Sequence, residues 1–569
     1  MTLTGWAEIA LTLALVGLFA WPLGQHIAAV FSGRRTLLTP MVGPLERGLY
    51  RLSGVESDEE QDWFSYTLSM IIFTAGCFLA LYAIQRLQGV LPFNPGGQDA
   101  VPPDLAFNTA ISFITNANWQ AYAGETTMSH FTQMVGLTTN NFLDTAVAMA
   151  LAIGLTRAFV RQDCATIGNF WIDLTRSILY VLLPLSILVA LLFVFLGVPQ
   201  TLRGSIEATT LEGARQTIAL GPVASQEAIK LLGTNGGGFF NANSAHPYEN
   251  PSALSNVLES WSQLVLPVAM VFAFGRMVGE RRQGYSLLAV MTVILLASVL
   301  TLYHAEAIGN PLLTDIGVDP VGGNLEGKDL RFGQAGAAMF AVATTGTGTG
   351  AANATFDSMT PVGGLVALLN LLMGCIAPGG AGTGLYSMLV LAILAVFIGG
   401  LMVGRTPEYL GKKIEAREMK FVMLSVLLGP ALVLVFSAVS VSLKVAVDSL
   451  GNAGPHGFSE IVYAYASTAA DNGSSFGGLA ANTPWFNATT GVVMLLGRLA
   501  GVIPIMALAG SLAAKKKLGR SEGTFPTDGT LFVFLLLGVA LIVTLLQFFP
   551  VIALGPMAEH FLMGSGRTF

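Results

Sequence analysis

Apolar runs long enough to cross a bilayer recur along the chain, separated by shorter stretches that hold nearly all of its charge. A crossing helix takes about 20 such residues, within a range of roughly 17 to 25. The runs lie near 3–23, 64–86, 134–160, 176–197, 261–279, 285–303, 360–403, 420–443, 491–513 and 530–555, which predicts ten crossings. The stretch 360–403 is too long for one span and is interrupted by Pro378-Gly379-Gly380-Ala381-Gly382-Thr383-Gly384. Such a break at membrane depth is tolerated only where the backbone is buried in protein or lines a cavity. The first run contains Glu8, has no basic flank before it and no small-residue cleavage site after it, so it is expected to stay as a span.

Between paired runs lie four shorter segments of 8 to 11 apolar residues that end in small polar residues and glycine: 107–120, 225–238, 333–350 and 458–473. They are too short to cross and too apolar for a solvated loop, so they are expected to dip into the membrane and return. Their ends recur every 110 to 125 residues. Repetition at a fixed period is a signal at the level of the fold. The unit is span, re-entrant segment, span, repeated four times around one pore. The boundaries are 62–161, 172–282, 285–413 (with the interrupted second helix) and 420–517, with extra spans at 1–30 and 529–569. The fold class is an all-α integral membrane protein with about ten transmembrane helices.

The unit points to cation chemistry. A half-helix whose C-terminus points into the membrane presents about half a negative charge there. Four such ends around one axis favour a cation. The residues after them, Thr115-Asn-Ala-Asn118, Thr234-Asn-Gly-Gly-Gly238, Thr347-Gly-Thr-Gly350 and Ala470-Asp-Asn-Gly473, suit extended strands that aim carbonyls at the axis. Carbonyl rings replace the hydration shell of K+ in selectivity filters. Glycine serves where the backbone takes positive φ or approaches closely.

Composition agrees. Hydrophobic residues make up 53% and charged residues 11%, against roughly 25% charged in soluble domains. That excludes a soluble enzyme, a secreted disulfide scaffold and a disordered regulator. Cys77, Cys164 and Cys375 are far apart and read as small apolar residues, and the six histidines are equally scattered, so no resident metal is expected besides transported K+. The net charge of −6 says little, but its distribution orients the chain. Loops 24–63, 157–177, 276–284, 404–420 and 514–529 hold 19 Lys and Arg, while the alternate loops and the tail hold 8, among them Lys230 and Arg567. By the positive-inside rule both termini face outside.

At Thr234-Asn-Gly-Gly-Gly-Phe-Phe-Asn-Ala-Asn-Ser-Ala-His-Pro-Tyr-Glu-Asn-Pro251 the sequence resembles the potassium-binding A subunit family of the bacterial Kdp potassium-transporting ATPase. The stretches 221–230, 404–413 and 454–460 are similar to further signatures of that family, and the resemblance covers essentially the whole chain. It implies a channel-like core of the K+ transporter superfamily in the bacterial plasma (inner) membrane. It also implies three partners: a P-type ATPase subunit that hydrolyses ATP, a C subunit and a small single-helix subunit. The implied K+ filter residues are Thr115, Asn116, Asn118 and Gln120; Thr234, Asn235, Gly236, Gly237 and Gly238; Gly348, Thr349 and Gly350; and Asp471, Asn472 and Gly473. Departures from the family pattern fall at Ala117, Thr349 and Asp471, and Asp471 is expected to add a negative charge near the mouth. They bear on affinity and on discrimination against Rb+, NH4+ or Na+.

Gating or coupling roles fall on Gly379, Gly380, Gly382 and Gly384 of the interruption, on Arg405 and on Arg498. The interruption is expected to stop K+ from running straight through. Arg405 is either an ordinary inner-face residue or, as the resemblance implies, a partner of that segment. Arg498 sits in an apolar span, where Arg costs about 2.5 to 3.5 kcal/mol on insertion scales. It is either satisfied by carbonyls or placed below the filter to repel or gate the cation. Lys412, Lys413 and Lys515–Lys517 read as inner-face anchors, with docking of the ATPase subunit as a second reading. Gly346-Thr-Gly-Thr-Gly-Ala351 fits a dinucleotide pattern but has neither the strand–helix context nor the later acidic residue. A Walker A motif and an aspartyl-phosphate DKTG are absent, so no nucleotide and no catalytic site are expected in this chain. The function that emerges is the K+-binding and translocating subunit of an ATP-driven K+ importer. The rivals are a stand-alone K+ channel or ion-coupled symporter of the same fold, and an intramembrane enzyme, for which no facing nucleophile–base pair is found.

Overall fold

A computed structural model describes residues 1–519 and 523–566. Arg520 and Arg567, both counted in the charge distribution above, lie outside the described residues. Among these residues ten helices are long and apolar enough to span a membrane: Leu3–Phe31, Trp63–Leu87, Thr132–Val160, Phe170–Leu196, Ala253–Met277, Arg281–Asp315, Thr383–Met402, Ala416–Val441, Pro484–Ala513 and Thr530–Gly564. Several begin earlier than their apolar runs, because the first turn is set by a polar cap. Asn169 accepts from Trp171 N–H, Ser252 and Ser255 cap one another, and Thr483 accepts from Phe486 N–H ahead of Pro484. The long run 360–403 resolves into Pro361–Leu372 and Thr383–Met402, with residues 373–382 non-helical between them.

The four short segments are helices Pro103–Ile114, Val223–Leu232, Gly333–Thr347 and Gly454–Ala469. They have 12, 10, 15 and 16 residues. At 1.5 Å per residue that is roughly 15 to 24 Å, short of the ~30 Å hydrocarbon core. They are therefore called pore helices 1 to 4. In each unit the span after the pore helix is the buried one. Thr132–Val160 and Ala253–Met277 are 83% buried, against 22% for Trp63–Leu87 and for Ala416–Val441, which precede their pore helices. The second spans thus pack around the centre, and the first spans present residues such as Ile72, Leu79, Leu427 and Val435 outward. Among the described residues regular β-pairing is limited to three two-stranded sheets, two of them hairpins and the third joining Gln61–Asp62 to Thr166–Gly168.

Between the outer ends of units 3 and 4, the His456 imidazole at the start of pore helix 4 bridges Asp357 (2.7 Å from Nε2) and Glu559 of the tenth span (2.8 Å from Nδ1). Glu460 lies beside it. The histidines are thus not all isolated, as the sequence had implied. Burial disfavours the imidazolium, but the two carboxylates outweigh it and push its pKa up to about 10. Because the folded-state value lies above the ordinary 6.5, the stabilisation is complete below that value and is lost as pH rises through the folded-state one. Thermal unfolding in detergent is expected to show the wild type losing its margin over His456→Gln on going from neutral pH to strongly alkaline pH, and a pH-independent margin would remove the imidazolium from this role.

Candidate functional site

Each pore helix ends in a strand that turns back outward, and the four strands share one backbone pattern. Asn116, Thr234, Gly348 and Asp471 have φ of 67°, 52°, 71° and 53°. Two residues on, Asn118, Gly236, Gly350 and Gly473 have φ of 49°, 77°, 80° and 81°. The residue between them keeps an ordinary negative φ. Alternating handedness turns successive carbonyls to the same side of the strand, where a β-strand would alternate them. In this register Thr234 is equivalent to Asn116, and Gly233 to Thr115. Thr234 is a β-branched residue in a left-handed conformation, a rare and costly one. Its side chain explains how it is held, since Oγ1 donates to Gly233 O and accepts from Ala381 N–H.

The strand N–H groups are used by the helices that carry them. Asn235 donates to Lys230 O (2.9 Å), Thr349 to Thr344 O (3.1 Å), Asn472 to Ser467 O (3.0 Å) and Asn118 to Ser112 O (3.0 Å). This leaves the carbonyls of Ala117, Asn235, Thr349 and Asn472 without a donor among the described residues. The strands meet in cyclic order. A β-carbon on Gly236 would overlap the Thr349 carbonyl oxygen, one on Gly350 that of Asn472, and one on Gly473 that of Ala117. The ring closes through Asn116 Nδ2, which donates to Thr234 O at 2.8 Å, and Asn235 Nδ2, which donates to Asn116 Oδ1 at 2.6 Å. Ala117 is therefore a ring member by its carbonyl, although its side chain gave the sequence reading no reason to include it. Asn118 takes the position that glycine holds in the other three strands, as the non-glycine type that best tolerates it.

Above the ring is an outer vestibule of about 850 Å³, lined by Trp119, Gln120, Asn241, Asn243 and Asn353 among others. Gln120 Nε2 donates to Gly238 O (3.3 Å) and Tyr122 Oη (3.0 Å). Asn243 Nδ2 donates to Gly237 O, and its Oδ1 accepts from Lys230 Nζ (3.2 Å) and Ala352 N–H (3.3 Å). Lys230, read from sequence as a loop charge, is instead fully buried in pore helix 2 between Glu227 (2.8 Å) and Glu249 (2.5 Å). Glu249 also accepts from Phe240 N–H at 2.8 Å. The signal was present as a lysine three residues after a glutamate in an otherwise apolar segment, but nothing in the sequence said which partner lay across the fold.

Below the ring, residues 373–382 are stitched to the end of pore helix 3 and to strand 2. Ala377 N–H and Gly379 N–H both donate to Gly346 O (3.0 and 2.9 Å), and Ala381 N–H donates to Thr234 Oγ1 (2.9 Å). A β-carbon on Gly380 would come within 3.0 Å of the Thr347 carbonyl oxygen. Beside this link lies a cavity of about 200 Å³, bounded by Cys375, Thr383, Tyr386, Asp471 and Arg498 and reaching Ser425, Gly429 and Gln547 of the eighth and tenth spans.

Arg498 is satisfied by side chains rather than carbonyls: Asp471 at 3.0 Å, Asp144 at 3.4 Å and Tyr386 Oη at 3.1 Å. Asp471 therefore sits at the inner end of the strands against a guanidinium, not at the outer mouth. Asp144 was absent from the sequence reading, being one acid in a mixed apolar span. Arg405 does not touch the 373–382 link. It follows the far end of Thr383–Met402, about 30 Å along that helix, and donates to Thr524 O. The guess that it partners the interruption fails because a 20-residue helix separates the two. Lys412 and Lys515 are likewise used within the fold, Lys412 donating to Arg161 O and Lys515 pairing with Glu418 at 2.6 Å.

The sequence profile of the potassium-transporting ATPase A subunit family matches residues 10–561. Curated relatives named potassium-transporting ATPase potassium-binding subunit include one from Allorhizobium ampelinum, 57% identical over the full length of both chains. One from Mesorhizobium japonicum is 56% identical, again over both full lengths, and one from Methylorubrum extorquens is 56% identical over all of this chain and 99% of its own. Profile and relatives agree over residues 10–561. The chain belongs to the potassium-transporting ATPase A subunit family.

Proposed function

We propose that the four strands are a K+ filter and that the 373–382 link is its inner block, in a subunit that takes K+ from outside for an ATP-driven import complex. The observation that carries this is the common left-handed pattern of the four strands, closed into a ring of carbonyls directly above a stitched loop. Desolvated K+ is held by backbone oxygens, so selection rests on ring geometry, and Thr349 and Ala117 in place of other side chains leave it intact. The relatives are named for a potassium-transporting ATPase, so hydrolysis is assigned to a separate P-type ATPase chain, with a C subunit and a small single-helix subunit completing the complex. Both termini face outside the bacterial inner membrane in this reading. A stand-alone channel needs an open path through the ring, which the link at Gly380 and Ala381 disfavours.

Around the ring, two buried carboxylates face one guanidinium at Asp144, Asp471 and Arg498. The carboxylate oxygens of this cluster border the cavity beneath and supply acceptor atoms to a cation that enters it. Lys230 acts as a positioning residue: through Asn243 it holds the Gly237 carbonyl, and through Glu249 the turn at Phe240.

Glycine substitutions should separate by position. A β-carbon on Gly237 would lie 3.4 Å from Gln120 Cδ, an ordinary van der Waals contact, so Gly237→Ala carries mainly the left-handed penalty, ~1–2 kcal/mol or about a tenfold loss of apparent K+ affinity. Gly473→Ala, overlapping a carbonyl of the ring, should abolish K+-stimulated ATPase activity of the complex, and equal mild effects at both would sink the ring assignment. Deleting Gly379–Gly384 is expected to raise passive K+ leak from reconstituted vesicles, and an unchanged leak places the block elsewhere. Lys230→Met strands two buried carboxylates and should destabilise by about 3–5 kcal/mol. Lys230→Met with both Glu227→Gln and Glu249→Gln should recover folding yet discriminate less between K+ and Rb+ in ATPase stimulation, whereas wild-type discrimination would reduce Lys230 to a purely structural role.

A further inference from the structure

The helix Thr39–Ser53 follows the first span and is far too polar and short to be another. One face is pinned to the bundle. Glu46 is buried, pairs with Arg176 at 2.9 Å and accepts from Tyr180 Oη (2.7 Å) and Tyr50 Oη (2.9 Å), with Val42, Gly43 and Tyr50 buried beside it. Arg176 and Tyr180 belong to the start of the fourth span, and His26 of the first span bonds Tyr180 O at 2.9 Å. The helix is therefore held at the same end of the bundle as the close of the first span and the opening of the fourth.

The opposite face is apolar and bare. Met41, Leu45 and Leu52 are 81%, 53% and 87% exposed, and Leu37 just before the helix is 98% exposed. Spacings of four and seven residues place Met41, Leu45 and Leu52 in one stripe. Beside that stripe Arg47 and Arg51 are exposed at i and i+4, and Arg34 and Arg35 precede the helix, exposed as well. Among the described residues none of the four guanidiniums is in an ion pair. The acidic residues that follow, from Glu56 onward, lie beyond the Gly54 cap, and Glu60 is taken by Arg161 at 2.5 Å.

A row of large apolar side chains flanked by free arginines is the pattern of a helix lying in a membrane interface, with its apolar side in the acyl boundary and its cations among anionic headgroups. The surface continues the lipid-facing side of the first span, where Leu11, Leu18 and Phe19 are exposed. Lysine would supply charge alone, whereas arginine can hold a phosphate by two parallel hydrogen bonds. We propose that Thr39–Ser53 is an interfacial helix that binds anionic phospholipid headgroups through Arg34, Arg35, Arg47 and Arg51 and anchors the inner ends of the first and fourth spans. Its buried Glu46 hub makes it a rigid shelf, so headgroup binding is coupled to the position of the fourth span.

The test uses the full transport complex in nanodiscs of phosphatidylcholine, with and without phosphatidylglycerol. Nitroxides are placed at Met41→Cys, Leu45→Cys and Leu52→Cys, and each spectrum is compared with protein lacking the introduced cysteine. Labels relaxed by oxygen and shielded from an aqueous nickel complex support burial in lipid. Relaxation by the nickel complex means that the face is in water and overturns the proposal, and shielding from both reagents means that a protein covers it and overturns it too. Native mass spectrometry reads the charge: Arg47→Gln with Arg51→Gln is expected to cut retained phosphatidylglycerol by roughly tenfold or more. Undiminished retention overturns the headgroup assignment, and because the label arm keeps all four arginines it stands even where the double variant folds poorly.

Discussion

Backbone polar groups at membrane depth cannot be left to water, and the centre of this protein is irregular backbone at that depth. The solution is economical in parts. Each pore helix ends with unsatisfied carbonyls, and each following strand bends back so that its own N–H groups fill them, as Asn235 does at Lys230 and Asn472 at Ser467. One problem cancels the other. What remains are strand carbonyls turned one way by the left-handed residues, of which those of Ala117, Asn235, Thr349 and Asn472 have no internal donor among the described residues. Unsatisfied oxygens in hydrocarbon are costly unless something else coordinates them. A desolvated cation is the natural complement, so the proposed filter follows from hydrogen-bond accounting before any appeal to relatives.

The charged residues inside the bundle then fall into place as buttresses between units rather than as isolated oddities. Lys230 joins pore helix 2 to the loop carrying Glu249 and Asn243. His456 joins pore helix 4 to the exit of strand 3 and to the tenth span. Arg498 joins the ninth span to strand 4 and to the third span. Each is a cation answered by at least two carboxyl groups, so each ties together more than two elements where a lone ion pair would tie two. Burying such clusters earns little stability. Their value lies in fixing where one unit stands against the next, which a ring of backbone oxygens requires to fractions of an ångström.

The architecture was legible in the sequence because it rests on local patterns. Apolar run length gave ten spans, and a recurring short apolar segment ending in glycine gave four pore helices. The break at Pro378–Gly384 gave the split helix. What the sequence hid depends on long-range partners or on one-residue register. Thr115 and Thr234 look equivalent because both precede asparagine, yet the strands align Thr234 with Asn116, since register is set by which N–H reaches the helix carbonyl. Asp471 read as a mouth charge because its guanidinium partner, Arg498, lies 27 residues on. Arg405 and the glycine-rich break are close in sequence but sit at opposite ends of one helix. Lys230 was counted by loop when its burial depended on Glu249, 19 residues later.

A ring with near-fourfold symmetry treats an ion alike from every side, so it can select but cannot by itself give direction. Direction has to come from elements that break the symmetry, and these are gathered beneath the ring. Among the described residues only unit 3 has its second span interrupted, and the link so formed bonds to strand 2 through Thr234 and to the end of pore helix 3 at Gly346. Unit 4 alone places an acid, Asp471, at the inner strand position, where the others have Asn, Thr and Gly. The cavity beside them reaches toward Ser425, Gly429 and Gln547, on the side of the eighth and tenth spans, and not straight down the axis. In the proposed reading an ion leaving the ring therefore meets a bonded loop beneath it and a cavity to one side that is bordered by Asp471 and Arg498. Symmetry above and asymmetry below are what a selective but non-leaking subunit needs, and the asymmetric part is built from residues that symmetric reasoning on the sequence could not have placed.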